Sequence, residues 1–159
     1  MKPSHYGCFG LLIAEASILA AKISYHKSSC FFPQHIIQQG AAYIFAGGVL
    51  FTITVSTGIF TIQTLALPAV IFALFIIFFG IGLVIPNSLS HALKPYQTTA
   101  GTAGSLFGGC YYCLIAGFTW AMSAFHNGTA FPLPLYIALL GLILIYSAQM
   151  IRPRKAIEE

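Results

Sequence analysis

The sequence predicts an all-α integral membrane protein, and three observations support this. Hydrophobic residues make up 58% of the chain, charged residues only 6%, and the apolar residues fall into five long runs. A soluble domain has about 25% charged residues, and a helix that crosses a bilayer needs about 20 predominantly apolar ones. The 159 residues therefore accommodate five membrane-crossing helices and their connections, with no soluble domain.

The apolar runs set the expected bounds of the helices. Each run is near the length that spans a bilayer, and the breaks between them carry turn and capping residues. Pro68 lies near the start of the third helix, where a missing N–H costs little, whereas Pro86 near its other end is expected to kink or stop it. Residues 31–39 are expected to form a short interfacial stretch. The predicted helices are Tyr6–Ser24, Ala41–Ile62, Leu65–Ile85, Gly101–Phe125 and Pro132–Met150.

Lys and Arg residues alternate between the breaks. They follow the first, third and fifth helices, and none follows the second or fourth. Since loops rich in Lys and Arg stay in the cytoplasm, we expect the N-terminus outside and the C-terminus in the cytoplasm, in the inner (plasma) membrane. Lys2 is the exception. The cations after the odd-numbered helices are Lys22, Lys27, Lys94, Arg152, Arg154 and Lys155.

A cleaved signal peptide is the alternative account of the first run. Lys2 would be its basic region, Tyr6 to Ile13 its apolar core, and Ala14-Glu15-Ala16 its cleavage site. This account places the loop after the first run outside the cell, which breaks the alternation of charge.

The stretch from Gly80 to Gly109 carries the most specific pattern. It resembles the join between the tenth and eleventh helices of drug/proton antiporters of the bicyclomycin-resistance type (Bcr/CflA family) in the major facilitator superfamily. The matching elements are G-x-G-x-x-x-P-N at Gly80, Gly82, Pro86 and Asn87, then A-L-x-P-[FY] at Ala92, Leu93, Pro95 and Tyr96, then A-G-T-A at Ala100, Gly101, Thr102 and Ala103.

The resemblance implies that the five helices correspond to helices eight to twelve of a major facilitator fold. A complete protein of this kind would export small amphipathic drug-like compounds in exchange for protons. The family's first seven helices have no counterpart in this chain. Because such transporters consist of two pseudo-symmetric bundles that rock about a central site, we expect a truncated C-terminal fragment, inactive without a separately encoded N-terminal piece. The alternative is a non-enzymatic membrane subunit that packs against another membrane protein.

Glu15 is the only acidic residue within the apolar runs. An ionisable group at that depth faces a cavity or a partner, or stays protonated. Its carboxyl could therefore carry a proton during exchange. The alternative interpretation is that Glu15 faces the bundle and is hydrogen-bonded to a Ser or Thr of another helix. Lys22 lies about two helical turns away, too far for a direct pair.

Small residues recur along the fourth helix. Such stripes let two helix backbones approach closely, so they favour a packing interface over ligand contact. On this interpretation, Gly104→Leu should separate the helices. The residues concerned are Gly101, Ser105 and Gly109 in one stripe, Gly104 and Gly108 in a second, and Gly80 and Gly82 on the preceding helix.

Three polar or aromatic residues are candidates for the transport path. Asn87 could cap backbone groups freed by Pro86, which is the cheaper explanation in lipid, or it could gate the cytoplasmic mouth. Tyr111 and Tyr112 could line a drug cavity by stacking on flat or cationic substrates. Tyr111 stands where the resembled family often has a Gln, so an amide of the transport path is absent. Trp120 is expected in an aromatic belt.

The four cysteines invite an enzymatic interpretation, which the spacing does not support. Cys110 and Cys113 lie one turn apart on one helix in apolar surroundings, which suppress thiol reactivity. Cys8 and Cys30 lie near opposite membrane surfaces and cannot form a second redox pair. The histidines lack the spacing of a zinc site, the chain has no Asp, and its cations form no basic face. We therefore expect no enzyme, no cofactor, no metal and no nucleic-acid partner.

Overall fold

Five α-helices and one short 3₁₀ helix make up the described part of the chain in a computed structural model. This part covers residues 3–28, 33–57, 63–126 and 128–150, with side chains over 10–26, 34–57, 67–126 and 128–150. Lys2, Cys30, Arg152, Arg154 and Lys155, and the side chains of Cys8 and Lys27, lie outside it. The helices are α1 (Pro3–Ser28), α2 (Pro33–Ser56), α3 (Gln63–Leu93), the 3₁₀ helix Lys94–Thr99, α4 (Ala100–Phe125) and α5 (Pro132–Met150).

The predicted class, an all-α membrane protein, is confirmed. Within the described residues, three helical segments are long and apolar enough to cross a membrane: Gln34–Ser56, Leu67–Phe125 and Pro132–Met150. The second segment includes most of α3, the 3₁₀ helix and α4, and its 59 residues far exceed the 20 or so that one crossing needs. The finding establishes a multi-pass membrane protein, while the count of five crossings stays a prediction.

Four helices begin earlier than predicted: α1 at Pro3, α2 at Pro33, α3 at Gln63 and α4 at Ala100. α1 also ends later than predicted, at Ser28, whereas α2 ends earlier, at Ser56. Residues 33–39 of the expected interfacial stretch form the first turns of α2, while residues 31 and 32 lie outside the described residues. Pro33 suits that position because a first-turn proline loses no backbone hydrogen bond. α3 continues through Pro86 to Leu93, so Pro86 does not stop the helix, and the alternative expectation of a kink at Pro86 stays a prediction. Proline is tolerated within membrane helices where neighbouring groups satisfy the freed backbone. α5 has the predicted bounds.

α2 and α3 form the centre of the bundle, with α1 against α3 and α5 against α2. Apolar side chains meet at three places along them. Near one end, Ala20 of α1, Ile36 of α2 and Leu83 of α3 form a buried cluster. Beside it, Ile37, Val84 and Ala148 bring α5 to the same end. Nearer the other end, α2 and α3 meet through Phe51, Ala73 and Ile77.

The first two clusters show which helix ends lie together in the bundle. The last turns of α1, α3 and α5 and the first turns of α2 lie together at one end. This is the end that Lys22 approaches and that Lys94 follows. The cations assigned from the sequence to one side of the membrane are therefore near one end of the bundle, as far as the described residues extend.

α4 lies outside this packing. None of its residues is buried, whereas every other α-helix contributes buried residues. Its links to the rest of the described chain are few. The Tyr136 hydroxyl of α5 donates a hydrogen bond of 3.0 Å to the Phe118 carbonyl oxygen of α4. The least exposed aromatic side chains of α4 are Phe107, at 38%, and Tyr111, at 37%.

Candidate functional site

The helices α2 and α3 cross closely at Gly40 and Gly80. A Cβ atom placed on Gly80 would lie 2.7 Å from the Gly40 carbonyl oxygen, and a Cβ placed on Gly40 would lie 2.9 Å from the Gly80 carbonyl oxygen. Real Cβ atoms do not approach backbone oxygens this closely. Glycine at both positions is therefore what lets the two backbones touch, in the manner of small-residue seams in membranes.

Glycines also bring α2 close to α3 at a second place and close to α5. A Cβ on Gly47 would lie 2.6 Å from Ile77 Cγ1 of α3. On the next residue, a Cβ on Gly48 would lie 2.8 Å from Ala138 Cα of α5. A Cβ on Gly141 would in turn lie 2.8 Å from Phe45 Cα. The adjacent residues Gly47 and Gly48 thus allow α2 to pack closely against α3 and α5, respectively.

Sequence reasoning missed these seams on α2 and α5. It predicted packing roles for Gly80 and Gly82 but assigned none to Gly40, Gly47, Gly48 or Gly141. The signal was present, since Gly40 and Gly47 lie seven residues apart, on one face of a helix. Glycines are more numerous on α4 than on α2 or α5. The number of glycines on a helix does not show whether another helix packs against it.

Gly82 and Asn87 join α3 to α1. A Cβ on Gly82 would lie 2.8 Å from the Ala20 Cβ. Farther toward the end of α3, the Asn87 amide nitrogen donates hydrogen bonds of 2.7 Å to the Ser24 hydroxyl oxygen and 2.7 Å to the Leu83 carbonyl oxygen. Asn87 is only 9% exposed. It therefore binds a backbone carbonyl of its own helix and the neighbouring helix at once.

The position of Asn87 bears on Pro86. Proline at 86 has no N–H to offer the carbonyl of Gly82, one turn earlier. The Asn87 amide satisfies the adjacent carbonyl, that of Leu83. Ser24, which sequence reasoning had not singled out, receives the interhelical bond. The two bonds join α3 to α1, and neither reaches the Gly82 carbonyl, so the capping role and the gating role of Asn87 both stay predictions.

Glu15 lies on the side of α1 that faces away from α3. Ala16 and Ala20 are fully buried, whereas Glu15 is exposed. Its neighbours on the outward side, Leu11 at 68% and Ile18 at 57% exposed, are large and apolar. The alternative in which Glu15 faces this bundle is therefore not realised in the described chain. A proton-carrying role stays a prediction that needs an additional segment beside α1.

The small-residue stripes of α4 have no neighbour within the described chain. Nothing lies within 4 Å of a Cβ placed on any of its five glycines, Gly101, Gly104, Gly108, Gly109 and Gly117. Ser105 is exposed and donates its hydroxyl to the Thr102 carbonyl of its own helix. A seam built from α4 therefore requires a partner outside these residues. The structure brings Gly80 and Gly82, but not the α4 set, into helix contacts.

Tyr111 and Tyr112 contact each other edge to face, with ring centroids 5.7 Å apart. They point in different directions, because Tyr111 is 37% and Tyr112 71% exposed. Trp120, at 75%, is more exposed still. The predicted path residues do not converge. Within the described residues, α1 with Glu15 does not touch α4 with the tyrosines.

The cysteines of α4 are exposed and form no disulfide. Among the described residues, no three His, Cys, Asp or Glu side chains lie close enough to hold a metal ion. The potential chemistry of this part of the chain is thus distributed over three helices: an outward carboxyl on α1, an amide clamp on α3, and aromatic rings with thiols on α4.

The chain is similar to parts of proteins that are named as transporters. No protein-family model matches it, and no solved structure matches it. An uncharacterized transporter of Rickettsia felis is 28% identical over 130 residues, which cover 79% of this chain and 32% of the relative. A putative uncharacterized protein of Rickettsia conorii is 42% identical over 69 residues, covering 43% and 57%. Multidrug resistance protein D of Escherichia coli is 34% identical over 99 residues, covering 62% and 24%.

These relatives support a transport function of a non-enzymatic kind. The matched stretches cover less than two thirds of each relative, so this chain corresponds to only part of them. Together with the apolar helices, they indicate a multi-pass membrane protein that is similar to proteins named as transporters.

Proposed function

We propose that this chain forms the C-terminal portion of a proton-coupled drug exporter of the bicyclomycin-resistance type, spanning the inner membrane five times. In this proposal its α-helices are helices eight to twelve of a major facilitator fold. The N-terminus lies outside and the C-terminus in the cytoplasm. Small amphipathic compounds are the cargo of the complete protein, and the chain alone transports nothing.

The observation that carries the proposal is the combination of a packed half and an uncovered helix. α1, α2, α3 and α5 bury side chains against one another, while α4 buries none. In a membrane, a helix is stabilised by packing against other helices, because lipid tails are as apolar as its own side chains. An uncovered helix therefore indicates that further helices pack on it. A transporter of two bundles supplies such helices from its other half. The transporter relatives are several times longer than the stretch they share with this chain.

A chimera provides the test. This chain replaces the segment of the Escherichia coli relative that it matches, and drug efflux is measured in cells that lack their own exporters. We expect the chimera to export drugs above vector background and to stop when a protonophore collapses the proton gradient. This chain expressed alone is the control and should give background efflux. Proton-driven efflux by the chain alone would overturn the proposed requirement for another half.

A non-enzymatic subunit that packs against a different membrane protein is the second candidate. The uncovered face of α4 favours it equally well, because small residues there would admit a close helix neighbour. A folded chimera that reaches the membrane and exports nothing, combined with crosslinking of α4 to an unrelated membrane protein, would favour this second function.

A further inference from the structure

Two thiols on α4 have no role in the function proposed above. Cys110 and Cys113 are both exposed, and neither is in a disulfide. Three residues apart on a helix, they share a face, with Cβ atoms about 5–6 Å apart. The residues one turn before and one turn after Cys110 are Leu106 and Leu114, which are 70% and 61% exposed. The result is a pair of exposed sulfhydryl groups flanked by large apolar side chains near the middle of α4.

The number of sulfur atoms restricts the ligand. Zinc in proteins takes four ligands at a structural site and three protein ligands at a catalytic one. No third His, Cys, Asp or Glu joins this pair within the described residues. A zinc ion held by these two thiols alone would be short of ligands. The site therefore suits a ligand that needs two thiols.

We propose that Cys110 and Cys113 form a dithiol site for organic trivalent arsenicals. An organoarsenic oxide R–As=O reacts with two S–H groups to give R–As bonded to both sulfurs and one water. Two As–S bonds form, the As=O bond and both S–H bonds break, and the protons leave with the oxygen. Arsenic stays trivalent, so no oxidant or reductant is required. The product is neutral, and Leu106 and Leu114 offer its organic group an apolar surface.

As a statement about transported cargo, this inference rests on the proposed function and adds apolar arsenicals to its substrate class. As a statement about binding, it stands on α4 alone. The experiment separates the two, because binding is measured without any transport step.

Phenylarsine oxide is the probe, applied to the full chain purified in detergent. The reference variant carries Cys8→Ser and Cys30→Ser and so retains only the α4 pair. The matched controls add Cys110→Ser or Cys113→Ser and leave one thiol. Intact mass reports the adduct, maleimide labelling reports free thiols, and far-UV circular dichroism reports folding.

We expect the reference variant to bind one phenylarsenic group, to lose both thiols to maleimide, and to regain them with a dithiol reductant. Each one-thiol control should bind about a hundredfold more weakly or worse, because the second bond forms at high effective concentration. A helical reference variant that forms no adduct would overturn the site, as would one-thiol controls that bind equally tightly. If the reference variant does not fold, the wild-type chain is probed, and protection of any pair other than Cys110 and Cys113 overturns the proposal.

The chimera described above then distinguishes cargo from binding. Arsenical bound by the chain but not exported by a drug-exporting chimera would refute the cargo statement and leave the binding site. Failure of the chimera with every drug would refute the proposed function and leave the binding result unaffected.

Discussion

The crossing of α2 and α3 gives the sharpest prediction, through Gly80→Ala. The added Cβ would lie 2.7 Å from the Gly40 carbonyl oxygen, 2.8 Å from Ile44 Cγ1 and 3.0 Å from the Ile44 backbone nitrogen. Two of these three atoms belong to backbone and cannot rotate aside. The helices must therefore move apart by several tenths of an ångström along a buried contact. Overpacking of this kind costs about 1–3 kcal/mol.

Gly104→Ala on α4 is the matched control. It makes the same chemical change in a helix, with the same gain of about 0.5–1 kcal/mol in helix propensity. Nothing lies within 4 Å of a Cβ at Gly104. The propensity terms cancel between the two variants, so the difference in unfolding free energy should equal the overpacking cost, about 1–3 kcal/mol.

The assay is reversible unfolding of the detergent-solubilised chain by sodium dodecyl sulfate, followed by far-UV circular dichroism. Gly80→Ala should unfold at a lower mole fraction of denaturant than wild type, and Gly104→Ala at the same or a higher one. Equal stability of the two variants would refute the close crossing. By the same reasoning, the isolated chain should tolerate even Gly104→Leu, contrary to the effect expected from the sequence; that variant should lose stability only when a partner covers α4.

Two further predictions concern the amide clamp and the orientation in the membrane. Asn87→Ala removes the bonds to Ser24 and to the Leu83 carbonyl and should lower the unfolding free energy by about 0.6–1.7 kcal/mol in the same assay. Ser24→Ala should cost less because the bond to Leu83 survives, and an equal cost for both would show that only the interhelical bond matters. In a cysteine-free chain, a single cysteine at Ser90 should react with an impermeant maleimide only after cells are opened, whereas one at Ala130 should react in intact cells. The reverse pattern would overturn the predicted orientation.

The sequence was most informative where the lipid environment determines the outcome. Long apolar runs must be helical in lipid because every backbone polar group needs an internal partner. The class of the protein and the bounds of α5 followed from that constraint alone. The junction pattern around Pro86 and Asn87 pointed to a transporter, in agreement with the names of the relatives.

Sequence reasoning failed where helix neighbours and local satisfaction decide. It ended the third helix at Ile85 and expected Pro86 to kink or stop the helix, because a proline removes an N–H whatever surrounds it. The helix instead continues to Leu93, and the Asn87 amide donates a hydrogen bond to the carbonyl of Leu83, the residue after Gly82. Whether a neighbouring side chain satisfies freed backbone groups cannot be determined from the order of residues.

Composition and periodicity by themselves determined that this chain is helical, embedded in lipid and rich in residues that permit close packing. Only the tertiary structure decided which glycines are used: Gly40, Gly47, Gly48, Gly80, Gly82 and Gly141 meet another helix, and the five of α4 meet nothing described. It likewise turned Glu15 outward and joined Asn87 to Ser24. The physical reason is that an apolar helix has several similar faces. Which face is buried depends on where the neighbouring helices pack.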